Sequence, residues 1–65
     1  MIEIGKIILA RDELEALRLC DLEDLTQEEA GDRMGVSRGT VQRILSSARK
    51  KVALALTSGR AIIFE

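Results

Sequence analysis

Apolar residues recur at helical spacing in two runs between residues 26 and 52, separated by a short stretch that contains glycine. Thr26 stands at the start of the first run and Glu29 three residues later, which is the spacing of a capping box. Gly35 marks the end of that run, because glycine readily adopts the left-handed conformation of a helix terminus. Ser37 has the side chain of a helix cap. The pattern predicts two helices, over about 26–34 and 37–57.

The second of these helices carries a continuous apolar stripe, which consists of Val41, Ile44, Leu45, Ala48 and Val52. We expect this stripe to pack on the first helix, where the small Gly31 allows a close crossing and Val36 fills the turn. Two helices joined by a tight turn form the helix-turn-helix pattern of DNA-binding proteins. The alternative is an αα-hairpin inside a small bundle, but a hairpin does not explain why the exposed face of the second helix lacks acidic residues.

A third helix is predicted upstream, over about 12–22, with Asp12 and Glu15 as its capping pair. Its apolar face is expected to be centred on Leu17, Ala16 and Cys20, with Leu14 and Leu19 on the flanks. Leu25 precedes the cap of the next helix, the position of a hydrophobic staple. The predicted fold is mainly α: one three-helix helix-turn-helix domain with short β-strands at both termini, spanning residues 1–65.

Both ends of the chain have the composition of strands, namely residues 2–9, in which Gly5 is a candidate bulge, and residues 61–64. A lone two-stranded sheet is marginal in water, and an unpaired strand edge invites another chain. We expect the ends to pair with each other over the helices or with a second subunit. The simplest alternative is that one or both ends are frayed.

Composition limits the possible chemistry. Histidine, tryptophan, tyrosine and proline are absent, and Cys20 is the one cysteine, so the sequence offers no material for an internal disulfide, a zinc site or histidine-based catalysis. We therefore expect neither an enzyme nor a cofactor or metal. No apolar run approaches the length of a membrane span and no secretory signal is present, so a cytoplasmic protein without membrane contact is expected.

Charge is distributed unevenly along the chain, although the net charge is only −1. Residues 1–32 contain three basic and ten acidic residues, whereas residues 33–64 contain seven basic residues and no acidic one. A basic half centred on one helix is typical of a phosphate-binding surface. The alternative, a solvated charged helix face, ordinarily mixes both signs. We therefore expect an exposed surface on the second helix without acidic residues.

The run DELEALRLCDLEDLTQEEAGDRMGVSRGTVQRILSSARKKVALAL, residues 12–56, together with the tail Gly59-Arg60-Ala61-Ile62, resembles a small prokaryotic family known as UPF0251 or DUF134. The helix-turn-helix part is also similar to the promoter-reading C-terminal region of sigma-70-type factors (region 4-like). The resemblance implies DNA binding and regulation of transcription. Members of the family often have an N-terminal segment with several cysteines, which this sequence lacks, so no metal or redox role is carried over from it.

The helix that opens at Ser37 is expected to enter the major groove of duplex DNA. Arginine pairs with guanine and glutamine with adenine, so the base-reading candidates are Ser37, Arg38, Gly39, Gln42 and Arg43. Helix N-termini and basic side chains bind phosphate, so the phosphate-binding candidates are Thr26, Gln27, Thr40, Ser46, Arg49, Lys50 and Lys51. The Thr40 side chain is expected to point toward the protein, so a structural role is the alternative to phosphate binding.

The expected partners are double-stranded DNA and a second copy of the chain, joined through the terminal strands, because such modules usually bind paired half-sites as dimers. A second hypothesis is a protein-interaction module that docks on the transcription machinery, including RNA polymerase, through the acidic first half. If the chain binds DNA, its affinity for a duplex should fall steeply as salt rises. If no duplex binding is found even at low salt, the interaction module is favoured.

Overall fold

The computed structural model describes residues 5–65. The elements follow in the order strand β1 (Lys6–Leu9), helix α1 (Arg11–Leu17) continued by a π-helical segment (Arg18–Leu22), helix α2 (Gln27–Met34), helix α3 (Arg38–Ser58) and strand β2 (Ala61–Phe64). The prediction of a mainly helical protein with short strands toward both ends is confirmed. The part of the predicted first strand at residues 2–4 lies outside the described residues.

The two strands pair with each other in parallel, with Lys6 opposite Ala61 and Leu9 opposite Phe64. Of the two expected arrangements, pairing within the chain and pairing with a second subunit, the structure shows the first. Gly5 forms no bulge: it precedes β1, and its carbonyl accepts a hydrogen bond from the N–H of Ala61 at 2.6 Å. One face of β1 is buried through Ile7 and Leu9, so the ribbon lies against the helices on that side.

Helix α1 does not have the predicted cap. Ala10 occupies the cap position, and its N–H donates to Glu13 Oε1 at 2.9 Å, so the pairing of Asp12 with Glu15 was wrong. Of the predicted centre of the apolar face, Ala16 is fully buried, but Leu17 and Cys20 are only half-buried, and Leu19 from the predicted flank is fully buried instead. The inward-facing Glu13 draws the buried stripe to the side that faces α3.

The π-helical segment ends at Leu22, and two residues later Asp24 is left-handed, with a φ of 62°. The N–H of Leu25 then donates to the carbonyl of Leu19 at 2.9 Å, which turns the chain back over the core. Leu25 packs on a buried cluster of Leu19, Ala30 and Val41. The predicted hydrophobic staple is therefore confirmed.

The connection from α2 to α3 follows the predicted local chemistry. The N–H of Glu29 donates to Thr26 Oγ1 at 3.1 Å, and the N–H of Thr26 donates to Glu29 Oε1 at 2.8 Å. Gly35 is left-handed with φ 73°. A Cβ on Gly31 would lie 2.6 Å from the carbonyl oxygen of Val36, so the close contact at Gly31 is confirmed. The Val36 side chain is 38% exposed, so the idea that it fills the turn was wrong.

Helix α3 is the longest element, with 21 residues and a length of about 31 Å. Ser37 Oγ caps it by accepting the N–H of Thr40 at 3.2 Å, and the left-handed Gly59 ends it. The helix buries one side through Val41, Leu45, Ala48 and Ala55. The molecule measures 43 × 18 × 16 Å. Helix α2 lies beside the start of α3, where Gly31 approaches Val41, and β1 lies beside α3 at Lys51, which bonds to Ile8.

Candidate nucleic-acid interface

One exposed side of α3 carries polar and basic side chains at four-residue spacing, which places them in a row along the helix. We call this surface the basic row: Arg38, Gln42, Ser46 and Lys50, together with the neighbouring Arg43. All five residues are exposed. Among residues 5–65, the three cations of the row form no ion pair with a carboxylate. The row therefore presents three free positive charges to solvent.

The first turn of α3 is open to a partner. A Cβ on Gly39 would meet nothing within 4 Å, so the backbone at that position is accessible. Thr40 is half-buried, and its Oγ1 lies 3.0 Å from the Oγ of Ser37 and 3.5 Å from an Nη of Arg43. These contacts hold Thr40 against the protein, in line with its structural alternative, and the longer one links it to the guanidinium of Arg43.

The start of α2 lies next to the start of α3. Thr26, Gln27 and Glu28 line a shallow hollow together with Arg38. The hydroxyl and the N–H of Thr26 are both engaged by Glu29, and the bond from the Thr26 N–H holds the pKa of the Glu29 carboxyl below its ordinary value. The first-turn N–H groups that follow the cap have no acceptor within the helix. The structure thus brings the predicted phosphate-binding residues at 26 and 27 to a predicted base-reading residue.

Helix α3 itself carries no acidic residue, as expected, but acidic side chains from the other helices reach the edge of this surface. Asp12 and Glu13 line a groove shared with Thr40 and Arg43, and Glu28 borders the hollow at Arg38. The acids come from the first turns of α1 and α2, which pack beside the start of α3. Helical periodicity within α3 alone does not reveal them.

Lys51 is half-buried, and its ammonium is bonded within the protein. Its Nζ donates to Glu13 Oε1 at 2.7 Å and to the carbonyl of Ile8 at 2.8 Å, while Ser47 Oγ donates to Glu13 Oε2 at 2.6 Å. Glu13 is only 6% exposed. Its burial alone raises the pKa of the carboxyl, but the hydrogen bonds from Lys51, Ser47 and the Ala10 N–H together outweigh burial and hold the pKa below its ordinary value.

This arrangement corrects the assignment of Lys51 to phosphate, because its ammonium already has two acceptors within the chain. The sequence analysis also missed Glu13 and Ser47. The available signal was that Ser47 and Lys51 stand four residues apart beside the buried Ala48, so one acidic partner on a facing helix would satisfy both.

Arg49 is also engaged within the chain. Its Nε and Nη2 donate to the two carboxylate oxygens of Asp21 at 3.1 and 2.6 Å, which ties α3 to the π-helical segment. The guanidinium lowers the pKa of Asp21 below its ordinary value. Both side chains are exposed, so the pair contributes little to stability. Arg49 lies seven residues after Gln42, on the same side of α3 as the basic row, but its guanidinium is already paired with Asp21. The phosphate assignment of Arg49 therefore competes with an existing ion pair.

Cys20 is half-buried against the cluster of Leu19, Ala30 and Val41. Burial and the neighbouring Asp21 raise the pKa of its thiol, which keeps the sulfur protonated at neutral pH. Within residues 5–65, no group of histidine, cysteine and acidic side chains is arranged to hold a metal ion. None of the described helices is both long and apolar enough to cross a lipid bilayer.

Comparison with known proteins places the chain in a family. The model of the family described as "Protein of unknown function DUF134" matches residues 1–65. A UPF0251 protein of Pyrococcus furiosus is 67% identical over 57 residues, which cover 88% of this chain and 53% of that protein. A UPF0251 protein of Thermococcus kodakarensis is also 67% identical over 57 residues, covering 88% of this chain and 50% of that protein.

A UPF0251 protein of Clostridium botulinum is 55% identical over 60 residues, which cover 92% of this chain and 38% of that protein. The chain thus spans about half the length, or less, of these curated relatives. No solved structure matches it. On the match along its whole length and on these identities, the chain belongs to the DUF134 family, whose curated relatives carry the name UPF0251.

Proposed function

We propose that this chain binds double-stranded DNA sequence-specifically, through a helix-turn-helix formed by α2, the turn at Gly35 and α3, and that it regulates transcription. The observation that carries the proposal is the basic row, in which three exposed cations stand beside polar side chains and have no carboxylate partner in the part of the chain that the structure describes. Free cations on one face match the negative charge of a phosphate backbone.

In this proposal the first turns of α3 enter the major groove. Arg38 and Arg43 donate to guanine, and Gln42 pairs with adenine. Ser37 and Gly39 stand at the open end of the helix, where the lack of a side chain at position 39 lets the backbone approach the base edges. The exposed positions of all five residues support these assignments.

The backbone contacts are assigned to the margins of the same surface. Thr26 and Gln27 offer a helix N-terminus beside Arg38, where an anion is favoured by the N–H groups and the helix dipole. Ser46 and Lys50 continue the basic row toward the middle of α3 and would contact the phosphates there. In this proposal Thr40 positions Arg43 and Ser37 and does not contact DNA itself. Arg49 and Lys51, whose charges are paired within the chain, have no part in binding.

The experiment begins with selection of binding sites from random duplexes by the intact chain. Fluorescence anisotropy with end-labelled DNA then compares the selected duplex with a scrambled one. Arg43→Ala should weaken binding of the selected duplex by about 1–3 kcal/mol and reduce the preference over the scrambled duplex. Arg33→Ala is the matched control, since it removes an equal charge from an acidic hollow on α2 and should change binding far less.

Two results would contradict parts of the proposal. An unchanged preference in Arg43→Ala would remove the base-reading role of Arg43. Absence of duplex binding even at low salt would overturn DNA binding itself, because affinity that depends on phosphate contacts rises steeply as salt is lowered.

A docking module for the transcription machinery is the second candidate, and one feature of α1 supports it. Leu14 and Leu22 are 41% and 75% exposed, and together with Leu17 they line a shallow apolar hollow flanked by Arg18 and Asp21. An exposed apolar strip with charged borders suits a protein partner. Binding of a purified polymerase subunit that is lost in Leu22→Ser, without any binding of duplex DNA, would favour this candidate.

A further inference from the structure

We propose that strand β2 dimerises the protein by pairing antiparallel with β2 of a second copy, through the edge that β1 leaves open. This inference concerns the ribbon of β1 and β2 rather than the basic row, and it does not depend on DNA binding. It rests on the direction of the backbone hydrogen bonds, on the exposure of the ribbon and on the charges at the two ends of β2.

The hydrogen bonds identify the free edge. The N–H of Ala61 donates to Gly5 and the N–H of Glu65 donates to Leu9, at 2.6 and 3.1 Å. Because residues of a paired strand alternate in direction, Ile62 and Phe64 point their N–H and carbonyl groups away from β1. No hydrogen bond from the described part of the chain reaches them on that side.

The opposite edge of the ribbon, along β1, is partly closed. Backbone groups alternate in direction along β1, which turns the carbonyl of Ile8 away from β2. That oxygen accepts the hydrogen bond from Lys51 Nζ at 2.8 Å. Free strand edges are templates for pairing with another chain. The open edge of β2 is therefore the one available for a partner.

The ribbon is also too exposed for a parallel pair. Parallel strands occur almost only with both faces covered, yet Ile8 and Ile63 are 51% and 40% exposed on the outer face. Phe64 shares the inner face with the buried Leu9, yet it is 63% exposed because the helices do not extend over it. A partner at the β2 edge would add backbone hydrogen bonds and cover the phenyl ring.

Charge selects a second copy in antiparallel orientation. Arg60 precedes β2 and Glu65 follows it, and within residues 5–65 neither forms an ion pair. Antiparallel pairing of two identical strands brings the basic end of each near the acidic end of the other, whereas parallel pairing would bring like charges together. The strand is thus complementary to itself in one orientation.

A standard interface buries about 800 Å² per partner, which is about a sixth of the 4739 Å² surface of this chain. A four-residue strand is too small to supply that area alone. Leu54 and Leu56, which are 45% and 78% exposed, lie on the last turns of α3 just before β2. Because they are two residues apart and face different sides of the helix, only one of them adds apolar surface to this interface.

Sedimentation equilibrium from about 1 to 500 µM tests the proposal on the intact chain, and we expect reversible dimers. Phe64→Pro removes the outward N–H and the ring, whereas Phe64→Ala removes the ring alone, so Pro should weaken the dimer at least about tenfold more than Ala. Proline at this edge leaves the bonds to β1 in place, which circular dichroism of the dilute protein verifies. A single-chain mass at every concentration, or equal effects of Pro and Ala, would overturn the proposal.

A charge exchange tests the orientation. Arg60→Glu and Glu65→Arg should each raise the dissociation constant of the dimer about tenfold, because each makes both ends of the strand alike in charge. The double variant should restore the wild-type constant, since it only exchanges the two ends. Failure of the double variant to recover would overturn the antiparallel arrangement. None of these measurements contains DNA, so the result leaves the proposed DNA binding unaffected.

Discussion

The carboxylate of Glu13 joins three elements at one point. It accepts the N–H of Ala10 before α1, the hydroxyl of Ser47 and the ammonium of Lys51 on α3, and Lys51 extends the connection to the Ile8 carbonyl of β1. A buried carboxylate is tolerated only with such partners, because the loss of one leaves an uncompensated charge. We call this hydrogen-bonded group of Glu13, Ser47 and Lys51 the node. It links β1, α1 and α3 and so fixes their relative positions.

Two adjacent lysines on α3 should behave in opposite ways when each is replaced by methionine. Lys51→Met should lower the free energy of unfolding by about 2 kcal/mol, a value reduced for the partial exposure of the ammonium. Lys50→Met should change stability by less than about 0.5 kcal/mol, because Lys50 is exposed and outside the node.

Urea denaturation followed by far-UV circular dichroism measures the stability of both lysine variants, since the chain lacks tryptophan and tyrosine. Under the proposed function, the folded Lys50→Met protein should lose DNA affinity while folded Lys51→Met keeps it. Equal stability of the two variants would contradict the role of the node.

The depressed pKa of Glu13 also predicts how stability depends on pH. A carboxyl whose pKa is lower in the folded than in the unfolded state stabilises the fold above the ordinary pKa, which is 4.5 for glutamate, and this contribution is lost as pH falls through the folded value. We expect the wild type to be more stable than Glu13→Gln at pH 7 and the difference to shrink steadily below pH 4.5.

The measurement is a pair of denaturation curves for Glu13→Gln and the wild type at each pH. Taking the difference between the two proteins removes the parallel effects of Asp21 and Glu29, whose pKa values are also lowered. A difference that is constant from pH 7 to pH 3 would exclude the charged form of Glu13 as the stabilising species.

At the scale of elements, the contact between α2 and the turn into α3 depends on one glycine. Gly31 lies under the Val36 carbonyl, where the missing side chain lets the backbone of the turn approach. The capping bonds at Thr26 and Ser37 then fix the starts of the two helices. The angle between α2 and α3, and with it the position of the basic row relative to Gln27, follows from this packing.

Two alanine substitutions test the packing of these elements. Gly31→Ala should destabilise the protein by about 1–3 kcal/mol, because its Cβ would lie 2.6 Å from a backbone oxygen that has no freedom to rotate away. Gly39→Ala should stabilise the protein by about 0.5–1 kcal/mol, since its Cβ meets open space within a helix. Thermal melts report both changes, and a melt of Gly31→Ala that matches the wild type would show that α2 and the turn can move apart at little cost.

At the scale of the whole molecule, folding divides the cations of α3 into two groups. Arg49 and Lys51 pair with carboxylates of the acidic first half, Asp21 and Glu13, whereas the cations of the basic row have no carboxylate partner among residues 5–65. The ribbon lies beside α3, where Ile8 accepts a hydrogen bond from Lys51. A single chain thus presents both a basic surface and an exposed apolar ribbon.

The remaining acids near the basic row should weaken DNA binding. Asp12 borders the groove at Arg43, so under the proposed function Asp12→Asn should raise duplex affinity about threefold at low salt, with the gain fading as salt screens the repulsion. Asp32→Asn is the matched control, because Asp32 lies in the acidic hollow on α2. Anisotropy titrations at two salt concentrations measure both variants, and an equal gain from the two would indicate a general effect of net charge.

The sequence by itself determined the local features of this protein. The ends of α2 and α3, the capping bonds of Thr26 and Ser37 and the left-handed Gly35 all agree with prediction. Each depends on residues within about four positions of one another, where backbone geometry and side-chain chemistry act without the rest of the fold. The composition of both ends likewise predicted strands.

Only the tertiary structure decided which charges remain available at the candidate site. Glu13 and Ser47 are 34 positions apart, and Asp21 and Arg49 are 28 apart, so both contacts require α1 and its π-helical continuation to pack along α3. The parallel direction of the two strands depends on the same packing. Helical spacing identifies an exposed face, but a charge on that face stays free only if no partner reaches it from another element, and that depends on distances in three dimensions.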